Sequence, residues 1–182
     1  MKGLRSLILI SSAALLLASA NLASAQNSAV VPVVTQSKAE RQIQHNLMLL
    51  PYFTPFDDVK FQLNGDTVTL TGAVLTEQRK KDAEWAVKRV ESVARVNDQI
   101  EVLPASFFDD QLRVRLARAI YGYGPLERYD LGTVAPIRII VKNGRATLEG
   151  VVDTQMDKTL VNMRANQVPG LFSVKNDLLV AS

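Results

Sequence analysis

Residues 64–74 read NGDTVTLTGAV, and residues 143–152 read NGRATLEGVV. Placing Gly72 on Gly150 sets an offset of 78 residues, and the chain keeps it downstream. Thr76 falls on Thr154, Val90 on Val168, Val96 on Val174, Ile100 on Leu178 and Val102 on Val180. A fixed offset over about thirty residues, with apolar matched to apolar, marks duplication of one supersecondary unit. Two small domains of one fold are therefore expected, over residues 37–103 and 104–182. No catalytic constellation is shared between the copies or added to either.

Each copy reads helix–strand–strand–helix–strand. Ser37 with Glu40 three residues on forms a capping-box pattern. Ile43, Leu47 and Leu50 then recur at helical spacing, and Pro51 ends the run. Val59, Phe61 and Leu63 alternate, as do Val68, Leu70 and Val74, with Asn64-Gly65 between them as a hairpin signal. Thr76 is placed to cap a helix whose stripe is Ala83, Ala86, Val87 and Val90. The last strand holds Val96, Ile100 and Val102. In the second copy the helix opened by Ser106 and Asp109 carries Phe108, Leu112, Leu116 and Ile120 on one face. Ile137, Ile139 and Val141 alternate before Asn143-Gly144, and Ala146, Leu148 and Val152 alternate after it. Val161, Ala165 and Val168 line the closing helix. Before the hairpin, Tyr52 falls on Tyr121 at an offset of 69, so the second copy carries about nine extra residues around Gly122–Pro136.

The strand–helix–strand portion predicts a right-handed crossover with its outer strands parallel. The expected fold class is α/β (α+β): two tandem α-β-β-α-β sandwich domains, each with two helices on one face of a mixed three-stranded sheet. Gly65 and Gly144 serve the turns. Gly72 and Gly150 lie inside strand patterns, where glycine marks a bulge or a close approach, here expected from a covering helix. Neither has a glycine-rich phosphate loop around it.

The first 25 residues read as a secretory signal peptide. Lys2 and Arg5 precede an apolar or small run from Leu7 to Ala20, and Ala23-Ser24-Ala25 offers a cleavage site. That run is short for a membrane span, which needs roughly 20 residues. Residues 26–36 carry no charge and no clear period, and read as a flexible lead-in. Removing residues 1–25 takes the formal charge from +3 to +1, because Lys2 and Arg5 go and no acid does. A nucleic-acid partner, which calls for a clustered positive excess, is set aside. The chain has no cysteine, hence no disulfide and no zinc–thiolate site. An exported, soluble protein of a periplasm is the expectation.

The titratable residues do not assemble into chemistry. His45 is the only histidine and lies off the Ile43/Leu47/Leu50 stripe, so it reads as solvated. Asp57-Asp58 and Asp109-Asp110 are sequence neighbours, which rarely converge on one reacting atom, and read as helix-start or loop acids. No nucleophile elbow, P-loop or H-E-x-x-H run occurs. No enzyme, no metal and no cofactor are expected.

Two surfaces stand out. At 100° per residue, Phe107, Val114 and Arg118 lie opposite the Leu112/Leu116/Ile120 stripe, Arg115 flanks them, and Tyr121 and Tyr123 follow near the helix end. Apolar groups beside arginines suit peripheral contact with an anionic phospholipid surface. The equivalent helix of the first copy presents Lys38, Gln42, His45 and Leu49, a more polar set. Phe107 packing on the preceding repeat is the bland alternative. The second surface is an apolar outer face on each closing helix: Trp85 in the first copy, and Met156, Leu160 and Met163 in the second. These are expected to meet as an inter-repeat contact. The alternative is a shifted helical phase that makes this face the core.

The ordered set resembles the BON domain, named for bacterial osmotically inducible and nodulation proteins. Its elements here are the V-x-F/I-x-x-N-G turn segment, the V/A-T-L-x-G strand, and the V-x-x-V-x-N/D-x-I/L-x-V ending, at Val93–Val102 and, with leucine first, Leu171–Val180. The resemblance spans residues 37–103 and 106–180. It implies an α/β sandwich without enzymatic activity in tandem-BON periplasmic proteins of envelope maintenance and osmotic stress. It implies phospholipid contact, in some members through the second copy, and chaperone-like or adaptor roles toward envelope proteins in others. The chain departs from lipoprotein members in lacking a cysteine to be acylated, and from many members in the Gly122–Pro136 insertion.

Overall fold

The computed structural model describes residues 37–132 and 135–181, so the signal peptide and lead-in expected over residues 1–36 lie outside the described residues. The elements run α1 (Lys38–Met48), β1 (Asp58–Asn64), β2 (Thr67–Val74), α2 (Glu77–Lys88), β3 (Arg95–Asp98) and β4 (Glu101–Val102). The second repeat continues with α3 (Phe107–Tyr121), a 3-10 helix (Gly124–Asp130), β5 (Ile137–Lys142), β6 (Arg145–Val152), α4 (Gln155–Asn166), β7 (Ser173–Asn176) and β8 (Leu179–Val180). It is the mixed α+β fold expected, twice over.

In each repeat the hairpin is antiparallel and the closing strand runs parallel to its second strand. The closing strand is split without losing register. Thr67 faces Arg95 and Ala73 faces Glu101, a constant step, so β3 and β4 are one strand interrupted at Gln99–Ile100. The interruption has a cause: the Asp98 carboxylate accepts the Ile100 N–H at 2.9 Å, taking a donor from the ladder. Asn176 does the same to Leu178 in the second repeat, at 3.3 Å. Ile100 and Leu178 then turn fully into their cores.

The alternation read from sequence places the cores. Val68, Leu70 and Val74 meet Ile43, Ala83, Val87 and Val90, while Leu47 and Leu50 pack at the margin. Leu112, Leu116 and Ile120 meet Ile137, Ile139, Leu148, Val161 and Ala165. The stripe phases are therefore right, and the outer faces of α2 and α4 are not core. Phe108 departs from its stripe and is exposed, beside Gly170.

The glycine expectations need one correction. Gly72 and Gly150 have φ of 113° and 111°, but no helix crowds them. A methyl group there would sit 2.2 Å from the Asp58 carbonyl oxygen and 2.0 Å from that of Pro136. The close neighbour is the start of the paired strand, and Val151 N–H donates to the Pro136 oxygen at 3.1 Å. The two Asn-Gly pairs also differ in register. In the second repeat Asn143 and Gly144 are both loop residues, at φ 51° and 72°, as a type I′ turn requires. In the first, Asn64 still pairs with Thr67, and Gly65-Asp66 make the turn.

Three of the paired acids, Asp57, Asp58 and Asp109, are buried rather than solvated, while Asp110 is an exposed acid in the first turn of α3, as expected. Asp57 is fully buried; its carboxylate receives Thr54 N–H at 2.9 Å, Leu75 N–H at 3.0 Å and the Arg79 guanidinium at 2.6 Å. Arg79 is the third residue of α2. Its counterpart in α4 is Asp157, which binds Arg128 of the 3-10 helix at 2.6 Å. The same helix position thus clasps the segment before the first strand in both repeats, with the charges exchanged.

The repeats join through this segment rather than through the second helices. Ile139 N–H donates to the Pro55 carbonyl at 2.7 Å, Arg138 donates to that of Thr54 at 3.2 Å, and Phe56 packs on the second core. Lys60 pairs with Glu149 at 2.5 Å, and Lys142 with Glu101. Trp85 is 69% exposed, Met156 and Met163 are exposed, and Leu160 packs into its own core. The expected Trp85/Met156/Leu160/Met163 contact is corrected accordingly: edge-strand hydrogen bonds, not helix faces, set the docking.

Asp57→Ala should destabilise the protein by about 3 kcal/mol, the usual consequence of removing one partner of a buried ion pair. Urea unfolding measures this, and a loss under 1 kcal/mol would show that the clasp does not hold the Thr54–Phe56 segment.

Candidate functional site: an arginine-lined groove beside an apolar ridge

Three side chains lock α3 onto β5. The Ser106 hydroxyl caps the helix by accepting Asp109 N–H at 3.2 Å. The buried Asp109 carboxylate accepts Asn143 and Gly144 N–H, each at 2.8 Å. Buried Arg113 donates to the Val141 carbonyl at 2.6 Å and pairs with Asp110 at 2.5 Å. Tyr121 donates its hydroxyl to the Ile137 carbonyl at 2.5 Å. Burial pushes that phenol well above its ordinary range. Tyr121 is thus a core residue, and its expected place at the edge of a lipid surface is corrected. It points inward because α3 continues to residue 121, where the periodicity of Leu112, Leu116 and Ile120 still faces the sheet.

The opposite face is open. Phe107 is 79% exposed and Val114 is 50% exposed, with Arg115 and Arg118 exposed beside them. Phe107 does not pack on the preceding repeat. Phe172, 74% exposed, extends the apolar end of the domain, its ring lying over Gly144.

One flank of this ridge falls into a groove between α3 and α4, about 400 Å³ in volume and lined by Arg115, Arg118, Ala119, Arg164, Gln167, Val168 and Pro169. No carboxylate lines it. Arg164 is held by three contacts. Its Nε–H donates to the Ala119 carbonyl at 3.1 Å, another nitrogen donates to Gln167 at 3.0 Å, and its guanidinium lies 4.8 Å from the Tyr123 ring centre. Arg115 donates to Gln111 at 3.0 Å. Among the described residues the Arg118 side chain makes no hydrogen bond or ion pair. Tyr123, half-buried, supports an arginine rather than a membrane edge. Arg164 was not singled out from sequence, although the 78-residue offset sets it on Ala86, a small residue buried in the first repeat. Among the described residues no group of three or more His, Asp or Glu could hold a metal ion, and His45 is exposed.

The insertion that carries Tyr123 is anchored by the second clasp. The Asp157 carboxylate accepts Thr154 and Tyr129 hydroxyls at 2.6 and 3.0 Å and the Arg128 guanidinium. Burial opposes the charge, but these bonds together hold the carboxyl below its ordinary value. Tyr129 in turn accepts Asp153 N–H at 2.9 Å.

Two tandem α-β-β-α-β units, joined edge to edge and carrying one unpaired cationic groove, define the class. The family model for the BON domain matches residues 35–104 and 125–182, and the chain belongs to that family. The second matched segment begins beyond α3, so the helix bearing the ridge lies outside both. Among solved structures, the C-terminal domain of CdsD, a structural protein of the type III secretion system of Chlamydia trachomatis, is similar at 14% identity, covering 82% of this chain and 100% of that one, with a TM-score of 0.32. A second CdsD structure is similar at 16% identity, covering 78% and 92%, with a TM-score of 0.31. No curated protein matches. Among the described residues no helix is long and apolar enough to cross a membrane.

A carboxyl held below its unfolded value stabilises the fold above pH about 4, and the contribution is lost as pH falls through the folded value. Asp157→Asn should therefore cost about 1–3 kcal/mol near pH 7 and little near pH 2. Urea titrations at the two pH values test this; an equal cost at both would rule out the charged clasp.

Proposed function

We propose that the protein is a non-catalytic, exported envelope protein that binds anionic phospholipid surfaces peripherally, through α3, and supports envelope integrity or osmotic-stress tolerance. A periplasmic location accompanies the reading, on the leader-like residues 1–25 and the family. The observation that carries it is the outward face of α3, where Phe107 and Val114 stand exposed beside Arg115 and Arg118, neither paired with a carboxylate. Apolar side chains of this kind enter the headgroup boundary while guanidinium groups meet phosphates. Each arginine near such a surface contributes about 1 kcal/mol, so binding is weak and salt-sensitive.

The second reading is an adaptor or chaperone for envelope proteins. It draws on Trp85, Met156 and Met163, large apolar side chains left exposed on α2 and α4.

Phe107→Ser with Val114→Ser should leave the fold intact, since neither side chain is buried, and should abolish flotation with anionic liposomes. Undiminished flotation of the folded double variant would remove α3 as the contact. Absence of wild-type flotation at any ionic strength would favour the adaptor reading.

A further inference from the structure

We infer that the groove between α3 and α4 is a site for a phosphomonoester dianion, presented by a lipid headgroup or by a soluble phosphate ester. The inference rests on the lipid-surface reading only for where the ligand is displayed.

The first argument is charge. Three arginines line the groove and no acid does, so it carries three formal positive charges with no internal counter-charge. A phosphomonoester offers close to two negative charges and three acceptor oxygens at pH 7. A phosphodiester offers one charge and two non-ester oxygens, which leaves two of the three positive charges unanswered, against one for the monoester.

The second argument is preorganisation. Arg164 does not sweep through solvent: Ala119, Gln167 and the Tyr123 ring hold it, and one terminal nitrogen remains free. Arg118 has all its side-chain donors free among the described residues. Arg115 spends one nitrogen on Gln111 and brings another to the Gly170 turn. A planar guanidinium fixed beforehand loses less freedom on forming a fork with phosphate.

The third argument is the comparison between repeats. The first repeat has Ala86 in place of Arg164, and at the 69-residue offset Leu49 in place of Arg118 and Asn46 in place of Arg115. Tyr123 and the extension of α3 that supplies Ala119 are also additions of the second repeat. The insertion thus supplies Tyr123, the ring beneath Arg164, directly after the lengthened end of α3.

The test uses the exported protein with inorganic phosphate, dimethyl phosphate, and phosphatidylcholine vesicles doped with phosphatidic acid or with phosphatidylserine at matched surface charge. Nitrogen-15 spectra should show saturable shifts of the Arg118 and Arg164 Nε resonances with inorganic phosphate and none with dimethyl phosphate. Affinity for methyl phosphate, titrated in parallel, should fall about tenfold between pH 7.5 and pH 5, following the second ionisation of that monoester near 6. Vesicle sedimentation should favour phosphatidic acid by about tenfold, and Arg164→Gln should erase the preference. Arg164→Lys keeps the charge and loses the fork, so it should erase it too. Arg118→Gln, at a side chain making no bond in the fold among the described residues, should weaken binding without touching stability. Phosphate shifts without a vesicle preference retain the site and assign it a soluble ester. Neither shifts nor preference, in a protein that still floats with anionic liposomes, overturns the groove and leaves the lipid-surface reading standing. Shifts without any flotation do the reverse.

Discussion

The Asp109 carboxylate decides which side of α3 meets solvent. It takes both N–H groups of the Asn143–Gly144 turn and so nails the start of the helix to the tip of the hairpin. Arg113 and Tyr121 then reach Val141 and Ile137. The order is antiparallel, and the lengths agree. Twelve helical residues advance about 18 Å, while six strand residues advance about 20 Å. Burial of Leu112, Leu116 and Ile120, at roughly 1.5–3 kcal/mol each, supplies non-directional adhesion. The neutral Tyr121 tether contributes about 1 kcal/mol and the charged Asp109 and Arg113 tethers about 1.5–3 kcal/mol each, and all three are directional. Hydrophobic contact holds α3 down; the tethers choose its rotation, and with it the ridge of Phe107, Val114 and Arg118.

The first repeat shows the same helix without that lock. Glu40 occupies the position of Asp109, yet it turns back to the Ser37 N–H in a capping box. Gln44 stands where Arg113 does, and Tyr52, the counterpart of Tyr121, lies in solvent at φ 67°. Instead α1 is tied to α2, through Asn46 to the Ala86 carbonyl at 3.0 Å. The segment after α1 is thereby free to run along β5 of the second repeat. One copy uses the residues around position 55 to join the domains. The other uses the matching region to lengthen α3 and build a groove. The division of labour follows from where the chain leaves the helix.

Much of this was legible in the sequence, because it depends on spacing. The 78-residue offset, the alternating strands and the helical stripes give the elements and both cores. What was not legible depends on contacts distant in sequence. Tyr121 reads as surface until the length of α3 is known. Trp85 reads as buried because a lone tryptophan opposite a stripe invites a partner, whereas two edge-strand hydrogen bonds had already fixed the docking elsewhere. Asp57 reads as a loop acid, since nothing local announces that Arg79, 22 residues away, will close on it. Arg164 did leave a signal: a buried alanine in one copy is an arginine in the other. Duplicated chains reward that comparison, since the shared fold subtracts out and what differs is what each copy was free to change.

The groove itself raises a question of cost. Two like charges about 8 Å apart in water repel by roughly 0.5 kcal/mol, so two exposed arginines and the half-buried Arg164 are tolerable together but not neutral. A fold that needed them only for solubility would scatter them or interleave acids, as elsewhere on this chain, where Arg79, Arg113 and Arg128 each meet an aspartate. Here the acids are missing from the lining, and the neutral Gln111 and Gln167 stand where a carboxylate would quench the charge. Amides orient a guanidinium without cancelling its field. Tyr123 does the same from below, through the face of its ring. The arrangement keeps each positive charge in place and leaves it unanswered, which is the condition a binding site for an anion requires and a merely structural cluster does not.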